Sequence, residues 1–347
     1  MPHLLPFPHY AHPPGVSVSA LPVCREGIAC IPPEALVRRE GPAFGGLHFR
    51  RHRTGKESRA LCGLLPSTAF LDGTVLPHEK TLESRLARQE QLVRADKGAL
   101  GKPVLLVAPD LEAVRAQILA QKAVPELVVD FTGDENHYAL QHYAADRPLD
   151  LSGAGQLIIA DGHHRAATHA RLFAAGYEPC RYVPVCILPA AEVHIGSFLR
   201  CLATGMTDAA ELLDRLRPHF TIHPTVGPAG PRRAGEWTLA FHDHFFRLEA
   251  LDQPRTQTAV RWLNDTVLPA AFDLHDARTD PRLTYSILPD EGRGGFPEER
   301  EPGVAYLRGK AITVPRFFAE VRRGGTLPPK STRFEPRVPS GMMVWRP

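Results

Sequence analysis

Apolar positions along the chain come in short runs that turn residues interrupt. Between Gly46 and Leu71 the runs GLHFR, ALCGLLP and AFL predict strands that end in the turn Asp72-Gly73. The following segment changes period, with Leu82, Leu86 and either Gln89 or Val93 on one face, and predicts a helix that begins near Pro77. KPVLLVAPD then reads as a strand, LEAVRAQILAQ as an amphipathic helix and PELVVDFT as another strand, followed by a polar, aromatic stretch containing HYALQHYAADRP. The apolar run ending at Ala160 predicts a buried strand, and Ala166 to Ala175, closed by Gly176, a helix with a glycine C-cap. This alternation of strands and helices, to about residue 190, predicts an α/β or α+β fold with a mixed sheet and flanking helices.

In the second half, AAELLDRLRPHF and TQTAVRWLNDTVLPAAF read as helices. GEWTLAFHDHFFRLEA reads as a hairpin turning near Asp243, where His242 and His244 are expected to be solvated rather than metal-bound. The tail predicts a helix that stops at Gly324-Gly325, a proline-rich polar loop and a last short strand. The first 45 residues, punctuated by proline and weak in periodicity, are expected to form a loop-rich arm. Three portions follow: residues 1–45 as the arm, 46–200 as a catalytic core, and 201–347 as a C-terminal α+β portion whose tail returns to the active site.

Composition narrows the classes. A chain of 347 residues, 43% hydrophobic and 23% charged, can bury a substantial core. A net charge of +3 is too small to argue for nucleic acid or a membrane surface as a partner. The start MPHLLPFPHY lacks the basic beginning and continuous apolar core of a secretory signal, and no run of about 18 apolar residues occurs, so a cytoplasmic protein is expected. Cys24, Cys30, Cys62, Cys180, Cys186 and Cys201 form no CxxC pair and are expected to be reduced, mostly buried thiols.

The candidate chemistry sits where the 157–160 run meets its helix. Asp161, Gly162, His163, His164 and Arg165 occupy a strand-to-helix turn, where unpaired helix N–H groups and the helix dipole favour an anion. Gly162 permits close backbone approach, and the two histidines and the arginine fork add donors, which together predict a phosphate cradle. Taken singly, Asp161 is also an ordinary N-cap and Arg165 an ordinary ion-pair partner. Metal ligation by the adjacent histidines is disfavoured, because their side chains diverge on a helix and His164 and His169 are five apart. The metal set is left open.

Three blocks, LPHEKTLESRLARQEQLVRADKGALGKPVLL at 76–106, IADGHHR at 159–165 and LPPKSTRFEPRVPSG at 327–341, together resemble domain of unknown function family 1015. The DGHHR block is similar to that of free serine kinases of the ParB/sulfiredoxin superfamily. The resemblance implies a ParB/sulfiredoxin-like core and an enzyme that phosphorylates the hydroxyl of free L-serine. ATP, ADP or pyrophosphate would be the donor, with Mg2+. By block position it implies Glu79 as catalytic base, with Asp161 orienting the hydroxyl, assisting as base or binding magnesium. Gly162, His163, His164 and Arg165 would hold phosphate, joined by Lys330, Ser331 and Thr332 from the tail. The family's usual tyrosine and acidic residue after DGHHR are Ala166 and Ala167 here, and its Pro-Pro-Tyr-Asp block is not recognisable in the first 45 residues. The rival readings are a nucleotide-binding regulatory protein of ParB type and a phosphohydrolase using the same cradle.

Overall fold

The computed structural model describes residues 2–28, 35–287, 295–328 and 330–347. Cys30 and Pro329 lie outside the described residues. The chain divides into two compact units, residues 1–194 with 334–347, and residues 195–333.

The first unit is a mixed sheet with flanking helices. Its strands run in the order Ser17–Val18, Pro125–Thr132, Asn136–Ala144, Val37–Arg51, Glu57–Pro66, Tyr182–Pro189, Val104–Ala108, Leu157–Asp161 and Val75–Leu76, with Phe7–His12 pairing on Val37–Arg51. Most neighbours are antiparallel. Tyr182–Pro189 runs parallel to Val104–Ala108, and Leu157–Asp161 parallel to Val75–Leu76. The core gathers Phe44, Leu65, Leu106, Leu157, Val185 and their neighbours with Ala166 and Leu172 of the helix His163–Ala174. At position 166, fully buried, a tyrosine would have to displace packed neighbours.

Two expectations change here, and a stretch left unassigned finds its place. Residues 2–28 and 35–45 are not simply a loop-rich arm: Phe7–His12 pairs antiparallel with the start of Val37–Arg51, and Pro8 is accommodated where the register shifts between Phe7 and His9. The HYALQHYA stretch is a strand, paired on both sides, whose half-exposed histidines and tyrosines conceal the usual apolar alternation. The helix expected from Pro77 begins instead at Glu83. Leu86, Gln89 and Val93 are its buried face.

The second unit carries an antiparallel sheet in the order Phe220–Thr225, His244–Ala250, Glu236–Phe241, Val304–Gly309, Phe198–Ala203 and Leu283–Ile287. Its core joins Leu202, Trp237, Leu239 and Leu307 to Leu212, Leu216 and Trp262 from helical segments. Asp208 caps the helix Ala209–Leu216 by accepting from the Ala210 amide at 2.9 Å. The predicted hairpin turns at His242 and Asp243. The helix Val314–Arg322 is followed by Gly324 at φ +77°. Among the described residues no disulfide forms; Cys62, Cys180 and Cys186 are buried, and Cys24 and Cys201 partly so. No described helix is long and apolar enough to cross a membrane.

Candidate active site

Two strand pairings assemble the site. Leu157↔Val75 and Ile158↔Leu76 are in parallel register, so the residues that follow these paired positions, from 77 and from 159, leave the sheet edge side by side. On its other edge Leu157–Asp161 runs antiparallel to Val104–Ala108. Its carboxyl end therefore meets the beginning of that strand, where Lys102 lies. The register shifts between Ile159 and Asp161, an irregularity that re-aims the Asp161 side chain.

Asp161 is the hub of one half of the site. Its Oδ2 lies 3.1 Å from Lys102 Nζ and 3.3 Å from Arg165 Nη2. Burial works to raise the Asp161 pKa, but the charges of Arg165, Lys102 and Arg337 outweigh it and hold the carboxyl well below the usual carboxylate range. Lys102 is drawn down by burial, which the Asp161 charge opposes. Three cations thus face one carboxylate. Arg165 Nε and Arg337 Nε are both buried without a hydrogen-bond partner, donors in surplus to what the protein accepts.

Arg165 fits because two glycines make room. Gly162, at φ +99°, is the N-cap of the helix His163–Ala174, and a Cβ there would lie 2.6 Å from Arg165 Nη2. Gly27, at φ +77°, would place a Cβ 3.0 Å from Arg165 Cδ. The Gly27 carbonyl also accepts from the Gly101 and Lys102 amides at 3.1 and 3.0 Å, which fixes the Lys102 backbone.

The histidines organise the other half. His163 Nε2 accepts from the His78 amide at 3.4 Å, and His164 Nε2 accepts from the Leu82 amide at 3.0 Å. These two bonds bracket Glu79, Lys80 and Thr81. They also explain why the helix starts late: Leu82 is its N-cap, and its amide is spent on His164. Both rings thus use Nε2 as acceptors toward residues 78–82, so they do not act through that nitrogen as donors to a phosphate. Glu79 precedes the helix rather than standing in its first turn.

His78, next to Glu79 in the 76–106 block, is a site residue that the sequence reading does not name. Its Nδ1 donates to the Ile159 carbonyl at 2.5 Å, and its ring stands edge-on to His163 with centroids 4.4 Å apart. Burial draws its pKa down to about 4. His163 lies well below the ordinary histidine value, first through burial and then through His78. Both imidazoles are neutral near pH 7.

The tail divides differently from expectation. Lys330, Ser331 and Thr332 belong to the second unit, where the Lys330 carbonyl accepts from Arg200 at 3.3 Å, its Nζ lies 5.4 Å from the Phe198 ring centre, and the Ser331 hydroxyl donates to the Pro328 carbonyl at 2.5 Å. The next residues return to the first unit. There Phe334 packs on His78 with ring centres 5.7 Å apart, and Arg337 acts on Asp161 by charge. Phe334 and Arg337 stand in the same sequence block as Lys330, and Lys102 stands in the 76–106 block, so all three could have been drawn from the resemblance.

Resident magnesium does not fit these donors. Asp161 Oδ2 is already shared between two cations, and the other cluster offers imidazole nitrogens where magnesium takes oxygen.

Fold and site together define a mixed α/β protein with a cation-rich strand-to-helix turn. The chain belongs to DUF1015, a family of proteins of unknown function, whose profile matches residues 30–270. No curated protein matches it. Solved structures resemble it weakly. C-terminally truncated SbnI from Staphylococcus aureus is 16% identical, with 80% of this chain and 85% of that one covered and a TM-score of 0.46. A conserved hypothetical protein from Pyrococcus furiosus is 17% identical over 80% and 93%, with a TM-score of 0.39. A free serine kinase in complex with AMP is 17% identical over 82% and 90%, with a TM-score of 0.42.

Proposed function

We propose that this protein is a phosphotransferase that moves a phosphoryl group from a nucleotide or pyrophosphate to the hydroxyl of a small acceptor, L-serine or a related alcohol. The observation that carries the reading is the charge excess at Asp161, with Lys102, Arg165 and Arg337 around one carboxylate beside an uncapped helix N-terminus. Such a place favours a multiply charged anion over water. The DGHHR resemblance supplies the reaction class.

In this reading Glu79 accepts the hydroxyl proton as the alcohol oxygen bonds to phosphorus, and the bond from phosphorus to the departing phosphate breaks. The negative charge that grows on that departing phosphate falls to Lys102, Arg165, Arg337 and the amides after Gly162. Asp161, held ionised by its cations, is a positioning residue for Lys102 and Arg165 rather than a base. His163 and His164 position the segment that carries Glu79. Magnesium enters on the donor's phosphates.

Phosphorus NMR tests this, with L-serine and magnesium and with ATP, ADP or pyrophosphate in parallel. One donor is expected to yield phosphoserine, with turnover lowered about 10²–10⁴-fold in Glu79→Gln, the range for loss of a general base. Phosphate released without any acceptor would make the protein a phosphohydrolase. Near-native turnover in Glu79→Gln would remove that residue from the mechanism.

A further inference from the structure

The second half of the site sets two imidazoles beside Glu79, a donor set that the base role of Glu79 in phosphotransfer does not explain. One ligand atom from each of His78, Glu79 and His163 lies within 4.8 Å of the others. Ligands bound to a common tetrahedral zinc-sized ion at about 2.0–2.2 Å stand about 3.3–3.6 Å apart, so closure takes side-chain shifts that together reach about an ångström. We infer that His78, Glu79 and His163 form a binding site for a divalent transition metal of the zinc class.

The arrangement has the supports such a site needs. His78 donates from Nδ1 to the Ile159 carbonyl, which fixes its tautomer and puts the lone pair on Nε2, the usual second-shell device for a ligating histidine. His163 is held at the start of a helix and His78 by the parallel register of Val75–Leu76, so the two rings come from rigid, adjoining elements. The 3.4 Å contact from the His78 amide to His163 Nε2 is long and exchangeable for a metal bond. Two nitrogens and one carboxylate oxygen select zinc, cobalt or iron over magnesium, and three protein ligands leave a position for water or a substrate oxygen. The Glu79 carboxylate supplies the one negative charge among the three ligands, so it is the ligand the site can least spare.

This inference does not depend on the phosphotransfer reading, and its test uses no nucleotide. The full-length protein, stripped with a chelator, is titrated with Zn2+ against a chromogenic indicator and its metal content measured after gel filtration; Co2+ supplies a visible spectrum. One metal per chain is expected. Glu79→Gln and His78→Gln should each bind at least about 10²-fold more weakly, more than an outer-shell change costs. His275→Gln, at an exposed histidine beside Asp273, should bind as the parent does. Circular dichroism checks that each variant is folded; should His78→Gln fail, the half-buried Glu79→Gln decides. Parent protein that retains no zinc through gel filtration, or a folded Glu79→Gln that retains as much as the parent, overturns the assignment.

Discussion

Two carboxylates of the first unit meet arginine in opposite ways. Glu126 and Arg39 form a fork at 2.6 and 3.0 Å between neighbouring regions of the sheet, with the Glu126 side chain 55% exposed. One cation answers one anion, in water. Asp161 is largely enclosed and shared by Lys102 and Arg165, with Arg337 acting on it as well. The exposed pair is complete and contributes little to stability. The enclosed group is a cluster of like charges that a single carboxylate only partly neutralises, so it gains from a further anion. An ion pair points to a ligand only when its charges fail to balance.

The largest expected effect is acid sensitivity at the enclosed end. The folded pKa of His78 is drawn from 6.5 to about 4, and His163 and His169 are also lowered, in each case chiefly by burial. The unfolded chain therefore binds more protons in that window, and stability contributed by these neutral rings, complete above about 6.5, is lost as pH falls toward 4. A loss of a few kcal/mol is expected in urea titrations across the window, with a shallower slope in His78→Gln. Asp161 adds nothing to that slope: its depressed pKa keeps its contribution intact above the unfolded carboxylate value of about 3.9. A flat profile would mean these rings are solvated.

Asp161→Asn comes next. It leaves Lys102 and Arg165 without their counter-charge and is expected to cost about 2–3 kcal/mol. That figure is below the fully buried case because the Asp161 side chain is 25% exposed. Added pyrophosphate should restore part of the loss. Gly162→Ala should cost about 1–2 kcal/mol, since a left-handed residue would acquire a Cβ beside Arg165. Glu126→Gln should change stability by no more than about 0.5 kcal/mol. If the Glu126 and Asp161 changes cost the same, the contrast between the two regions fails.

The strand, turn and helix at 157–174 were legible because a buried run must be followed by something polar to leave the core, and Gly162 marks the turn. The mixed sheet was legible from alternating elements. The N-terminal strands were not, because their pairing partner at Val37–Arg51 supplies the order that proline-broken residues 7–12 lack by themselves. The cradle was half legible. Its DGHHR half is continuous in sequence, whereas Lys102, Arg337 and Gly27 arrive through strand register and chain return. His78 enters because Val75–Leu76 runs parallel to Leu157–Asp161. A local pattern carries the residues of one turn; the groups that give the turn its charge come from strand pairing and from the chain ends.

The central claim, that the charge excess around Asp161 holds phosphate, is tested most directly by calorimetric titration of pyrophosphate into the parent protein and into the Lys102→Met, Arg337→Met double variant. One saturable site is predicted, weakened at least about tenfold in the double variant, as the loss of two charge-assisted contacts requires. No saturable binding by the parent, or equal affinity in the two proteins, would contradict it.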